Sequence, residues 1–224
     1  RDENNLLTQS ADGANNPETG QQMANDFTLT QTWRPLPEMW RLPATAVHVY
    51  AARLDRKHGD QAYLHTLLNT DEQERARRFY FDRDRNHYIA ARGLLRILLG
   101  RYLQTPPDHV TFAYGPNDKP MLDRAIHDSN LTFNISHSKG VGLLAFGRDR
   151  EIGVDVEGVR LVDDAEAIAE RFFSASENMI FRQVPEAQKG QAFFNCWTRK
   201  EAFIKAIGEG LSHPLDTFDV TLRP

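Results

Sequence analysis

The sequence predicts an α+β fold built as two similar halves that meet near residue 150. Elements read in the order strand, helices, strands up to that point, and strand, helices, strand beyond it. The chain has 224 residues, 40% of them apolar, which suffices for one large domain or two of roughly 100 residues each. The stretch Gly147-Arg148-Asp149-Arg150 reads as a turn and marks the seam. The expected organisation is a disordered tail over 1–30, a first half with an extended arm over 31–150, and a second half over 151–224.

Residues 1–30 are rich in Asn, Gln, Asp, Thr and Gly, and bury too little apolar surface to offset their ordering entropy. Residues 31–45 are proline-punctuated and carry Trp33 and Trp40, which suit an arm pinned to the body by its aromatics. Residues 46–54 open with near-alternating apolar character, a strand pattern. Thr70-Asp71-Glu72-Gln73 matches a helix capping box, with Thr70 as the cap and Gln73 reaching back. A long helix or helix pair follows to about Leu103. Its buried stripe is Tyr88, Ala91, Leu95, Leu98 and Tyr102, with Arg85, Arg92 and Arg96 on another face. Arg92 and Arg96 are one turn apart and can serve one site. Pro106-Pro107 ends this region, and 110–114, 131–135, 141–146 and 152–156 read as strands. Residues 164–173, 176–183 and 186–207 read as helices, the last stopped by Gly208 and Gly210. A strand begins at 219–222. With no partner strand after it, the chain is expected to be a fragment that lacks the final strands of its second half.

Composition narrows the function. Lys and Arg total 27 against 31 Asp and Glu, a formal charge of −4, which argues against a general nucleic-acid binder. The single cysteine, Cys196, excludes a disulfide framework and a multi-cysteine zinc site. No apolar run approaches the roughly 20 residues that span a bilayer. The opening RDENNLLTQS is charged where a signal peptide is apolar. A soluble cytoplasmic protein is the expectation.

Three constellations carry chemistry. In Ile152-Gly153-Val154-Asp155-Val156-Glu157 the valines face a core, and Asp155 and Glu157 point together to the other side. Adjacent carboxylates repel unless a cation lies between them, and hard oxygen donors suit Mg2+. The competing reading is a solvated strand edge with two ordinary acids. In Trp197-Thr198-Arg199-Lys200-Glu201-Ala202-Phe203-Ile204-Lys205, Glu201 and Lys205 share a helix face. Alone they read as a surface ion pair. On a largely buried helix they could serve as metal ligand or base, and as a leaving-group cation. In Asn134-Ile135-Ser136-His137-Ser138, the Ser136 hydroxyl and the His137 ring suit phosphate oxygens. A serine–histidine nucleophile pair is the rival, disfavoured because sequence neighbours rarely point at each other. Lys119, Arg75 and Arg92 could add charge for further phosphates, although each also reads as a solvated cation. Together these features point to phosphoryl-group chemistry on a polyanionic substrate. There is no GxxxxGK[ST] loop and no GxGxxG turn.

The pairing of IGVDVE with WTRKEAFIKAIGEGL resembles the 4′-phosphopantetheinyl transferase family, in its larger type that activates peptide-synthetase, polyketide and fatty-acid carrier proteins. FNISHS, NDKP, RARRFYF and RFFS agree, and the resemblance covers residues 46–224. It implies two pseudo-twofold-related α+β halves with coenzyme A and Mg2+ between them. It implies transfer of the 4′-phosphopantetheine arm to a carrier-protein serine, with adenosine 3′,5′-bisphosphate as the other product. Asp155, Glu157 and Glu201 would hold Mg2+, and Glu201, directly or through a water molecule, would take the serine proton. Lys205 would contact the pyrophosphate and stabilise the departing oxygen. Ser136 and His137 would hold phosphate oxygens, His137 at the 3′-phosphate, and Lys119 would hold the nucleotide end. Arg92 falls at a phosphate-binding position and Arg75 near one, whereas Glu72 stands where some relatives carry a cation. Because the halves are fused, a monomer is expected. A different Mg2+-dependent phosphoester enzyme, or a non-catalytic relative that binds coenzyme A or a carrier, is the alternative.

Overall fold

Alternating apolar residues build a four-stranded antiparallel sheet. The computed structural model describes the backbone of residues 6–10 and residues 40–160 and 162–223. Strand β1 (Leu6–Ser10) pairs with β2 (His48–Arg53) in the register Leu6↔Ala52. This corrects the expected tail at those five residues. The rest of 1–39, with Trp33, lies outside the described residues. The sheet order is β1-β2-β6-β5, with β5 (Leu131–Ser138) and β6 (Val141–Arg148) as a hairpin. Its two-residue turn has both central residues at positive φ, Lys139 at 49° and Gly140 at 77°, the twist that suits a tight hairpin. Strand β3 (Phe112–Tyr114) pairs with β4 (Pro120–Leu122) in a separate small sheet.

Helix α1 (His58–Thr66) escaped the sequence reading, because Lys57 gives no side-chain cap and only Leu64 is buried. Helix α2 (Thr70–Arg77) does begin with a capping box, shifted by one residue: Asn69 is the cap and Glu72 reaches back to it. Asn is the better cap, and Glu72 has a second task that Gln73 could not perform. Buried beside α3 (Asp82–Leu103), its carboxylate accepts from Arg92 Nη2 at 2.6 Å and from Arg96 Nε at 2.7 Å. Arg96 also donates to the carbonyls of Pro107 and Val110, and both guanidinium groups lie over Phe112. Leu94, Leu95, Leu98 and Tyr102 of α3 join Tyr50, Phe133, Leu144 and Phe146 of the sheet in one core.

The second half holds α4 (Ala165–Phe172), α5 (Ala175–Arg182) and α6 (Glu186–Ile207), close to their predicted spans. Phe173, Phe181, Phe193 and Phe194 form its own core. The division near residue 150 thus separates two apolar clusters, one over 42–146 and one over 169–222. Both strands predicted in this half are corrected. Among the described residues, 152–158 and 219–223 pair with no strand, and side chains meet several of their backbone groups. In the terminal segment, Val220 N–H donates to Glu177, and Asn195 and Arg199 donate to the carbonyls of Leu222, Thr221 and Arg223. Fully buried Lys200 pairs with Glu177 at 2.7 Å and donates to the carbonyls of Leu215 and Phe218. Among the described residues no helix is long and apolar enough to cross a membrane.

Candidate active site

The site forms where β5, the strap 152–158 and α6 meet. Alternate residues of β5 share a face, which brings Asn134, Ser136 and Ser138 to the strap. Asn134 Oδ1 accepts from Val154 N–H at 2.9 Å, and Ser136 Oγ donates to Asp155 Oδ1 at 2.8 Å. Gly153 lets the strap approach α6: a Cβ there would lie 1.9 Å from the carbonyl oxygen of Ala202. No other residue has room at that point.

This close approach sets Asp155 against the Glu201–Lys205 face of α6. Lys205 Nζ donates to Asp155 Oδ1 at 2.5 Å and to Ser136 Oγ at 3.1 Å. Asp155 is 4% exposed at its side chain, and its Oδ2 is buried with no hydrogen-bond partner among the described residues. Glu157 accepts from Ser138 Oγ at 3.0 Å. Burial pushes the Glu201 carboxyl above its usual range. Lys205 opposes that shift, while the negative charges of Asp155 and Glu157 add to it. His137, at the end of β5, is held below the ordinary histidine range by the protein around it, and then by the positive charges of His87 and Lys205.

The structure therefore gathers Asp155, Glu157, Glu201, Lys205 and Ser136, whereas His137, which alternates with Ser136 and Ser138 along β5, is exposed on the opposite face of the strand. Lys119 lies at the far end of α6, donating to the Ala206 carbonyl at 2.6 Å and to Glu151 at 2.8 Å. With Met121, Phe133, Glu151 and Ile152 it lines a cavity of about 460 Å3 that Asp155, Glu157 and Glu201 do not line. Arg92 is drawn into the buried Glu72 network, and Arg75 lies 6.0 Å from the Tyr88 ring centre. Sequence reasoning missed the part played by Asn134 and Ser138. The signal was present: polar residues at every second position of β5, alternating with Leu131, Phe133 and Ile135.

The donors fit a hard divalent cation. An orphaned buried carboxylate oxygen, and a carboxyl raised by burial and further by two like charges, are both relieved by added positive charge. Among the described residues no three acidic, histidine or cysteine side chains already stand at ligating geometry, and Lys205 occupies the other oxygen of Asp155.

Carboxylates, an ammonium group and a hydroxyl gathered at one junction are the equipment of an enzyme acting at phosphate esters. A family profile described as 4′-phosphopantetheinyl transferase superfamily matches residues 151–224, and the profile of the transferase's N-terminal part matches 57–146. The two matches part at the seam between the two cores. The 4′-phosphopantetheinyl transferase HetI of Nostoc sp. is 39% identical over 196 residues, which are 88% of this chain and 82% of that protein. Sfp, the 4′-phosphopantetheinyl transferase of Bacillus subtilis, is 30% identical over 177 residues, 78% of this chain and 76% of its own. The rat L-aminoadipate-semialdehyde dehydrogenase-phosphopantetheinyl transferase is 27% identical over 201 residues, 86% of this chain and 58% of its own. The chain belongs to the 4′-phosphopantetheinyl transferase family and is a transferase.

Proposed function

We propose that this chain moves the 4′-phosphopantetheine arm of coenzyme A onto a serine of an apo acyl, polyketide or peptidyl carrier protein, with Mg2+ as cofactor. The observation that carries the reading is the junction of Asp155, Lys205 and Ser136, with Glu201 beside it and one buried Asp155 oxygen left for a ligand. The serine oxygen attacks the phosphorus that bears pantetheine, the bond from that phosphorus to the bridging oxygen breaks, and adenosine 3′,5′-bisphosphate leaves. Glu201 accepts the serine proton, a task helped by a carboxyl raised toward the working pH. Lys205 stabilises negative charge on the departing oxygen. Ser136 and His137 orient phosphate oxygens, and Lys119 meets the nucleotide end. Mg2+ held by Asp155, Glu157 and Glu201 supplies neutralising charge at the pyrophosphate when bound. The two halves face each other across this site as a pseudo-twofold pair, and the chain acts as a monomer.

Intact-mass analysis of apo carrier proteins incubated with the chain, coenzyme A and Mg2+ tests the reading. The expected result is a gain of one phosphopantetheine, abolished by EDTA and by Glu201→Ala. Retained coenzyme A binding with no modification of any acyl, polyketide or peptidyl carrier would instead make this a non-catalytic binder.

A further inference from the structure

One device occurs three times between β5 and the strap. Asn134, Ser136 and Ser138 each accept the N–H of the residue twenty positions on: Val154 at 2.9 Å, Val156 at 3.4 Å and Gly158 at 3.4 Å. Each serine also donates its hydroxyl hydrogen to the carboxylate one residue earlier, Ser136 to Asp155 at 2.8 Å and Ser138 to Glu157 at 3.0 Å. At the first step the corresponding residue is Gly153, whose missing side chain admits the α6 backbone. A hydroxyl has one donor hydrogen and two acceptor lone pairs, so one serine can hold a strap N–H and a carboxylate together. The strap thus runs parallel to β5, docked on side chains where a ladder would use backbone carbonyls. Asp155 has Lys205 as a second anchor, whereas among the described residues the nearest cation to Glu157 is Arg160 at 4.0 Å. Glu157 therefore depends most on its serine.

We propose that Asn134 and Ser138 are positioning residues, which dock the strap on β5 and aim its two carboxylates. Asn134 sets the start of the strap, and Ser138 sets the direction of Glu157. The aiming part rests on the reading of Asp155 and Glu157 as metal ligands, while the docking part stands without it.

Residue-resolved amide hydrogen exchange on the full chain, without metal or substrate, tests the docking. The N–H groups of Val154, Val156 and Gly158 should exchange about tenfold more slowly than those of Asp155 and Glu157, which point away from β5. An even profile along 154–158 overturns the proposal. In Ser138→Ala the Gly158 amide should exchange about tenfold faster. The half-saturating Mg2+ concentration for carrier modification should rise about tenfold, with the KM for coenzyme A within about twofold. Ser138→Thr should restore both. Unchanged exchange in Ser138→Ala overturns the docking role, and faster exchange with unchanged Mg2+ dependence overturns the aiming role. Failure of the transferase reading shows separately, as no carrier modification by the unaltered chain. Mn2+ binding followed by electron paramagnetic resonance then makes the same comparison, weaker binding by Ser138→Ala supporting the aiming role and equal binding overturning it. Should Ser138→Ala fail to fold, the exchange profile of the unaltered chain decides.

Discussion

Glu201 carries a charge that its surroundings oppose. Burial raises its carboxyl, and Asp155 and Glu157 raise it further against the pull of Lys205. The folded chain therefore holds this proton more tightly than the unfolded chain does. Its contribution to stability falls as pH rises from the ordinary carboxylate value through the raised one. Glu201→Gln removes that loss. The metal-free variant should melt above the unaltered chain by a margin that grows as pH rises through this window and then levels off. A margin independent of pH in thermal melts at several pH values would sink the assignment. Carrier modification by the same variant should drop at least about a hundredfold, the scale of a lost general base. Lys205→Ala should lose about a hundredfold to a thousandfold, as expected for removing charge stabilisation at the departing oxygen. A kcat within tenfold of the unaltered chain would remove Lys205 from the mechanism.

At the scale of elements, Glu72 shows how one side chain can join three segments. It closes the α2 capping box and receives both buried arginines of α3, one of which also holds the turn after that helix. Glu72→Ala would leave two buried guanidinium groups without their carboxylate, a cost of about 3–5 kcal/mol. Urea denaturation should show it, and a loss below about 1 kcal/mol would mean that the network is relieved by water. The cap register has its own test. Asn69→Ala should cost about 1 kcal/mol and Thr70→Ala much less, and the reverse order would restore Thr70 as the cap.

For the whole molecule, the decisive contact is that of the strap with α6, because it joins the sheet of the first half to the helices of the second. Gly153→Ala would place a methyl group 1.9 Å from the Ala202 carbonyl and 2.6 Å from the Ala206 nitrogen. Backbone must move to admit it, at about 1–3 kcal/mol, the cost of overpacking. Because Asp155 and Glu201 would part, carrier modification should fall at least tenfold although Gly153 contributes no side chain. A variant with full activity and an unchanged melting temperature would refute the close approach.

Much of this was legible in the chain itself. The 3.6-residue stripe of α3, the Gly208 stop of α6 and the alternation in β5 are local patterns, and local patterns determine helices and strands wherever one face is apolar. The acids, Lys205 and Ser136 were readable as a set because their residue types share one chemistry. What only the tertiary structure decided is where backbone groups find partners and which cation meets which acid. Residues 152–158 and 219–223 have the composition of strands, yet side chains from β5, α5 and α6 take their N–H and C=O groups. Arg92 has the spacing of a phosphate ligand, yet Glu72, twenty residues earlier in sequence and buried against it, claims its charge. Pairing of this kind depends on distance in space between residues far apart in sequence, and neither periodicity nor composition records it.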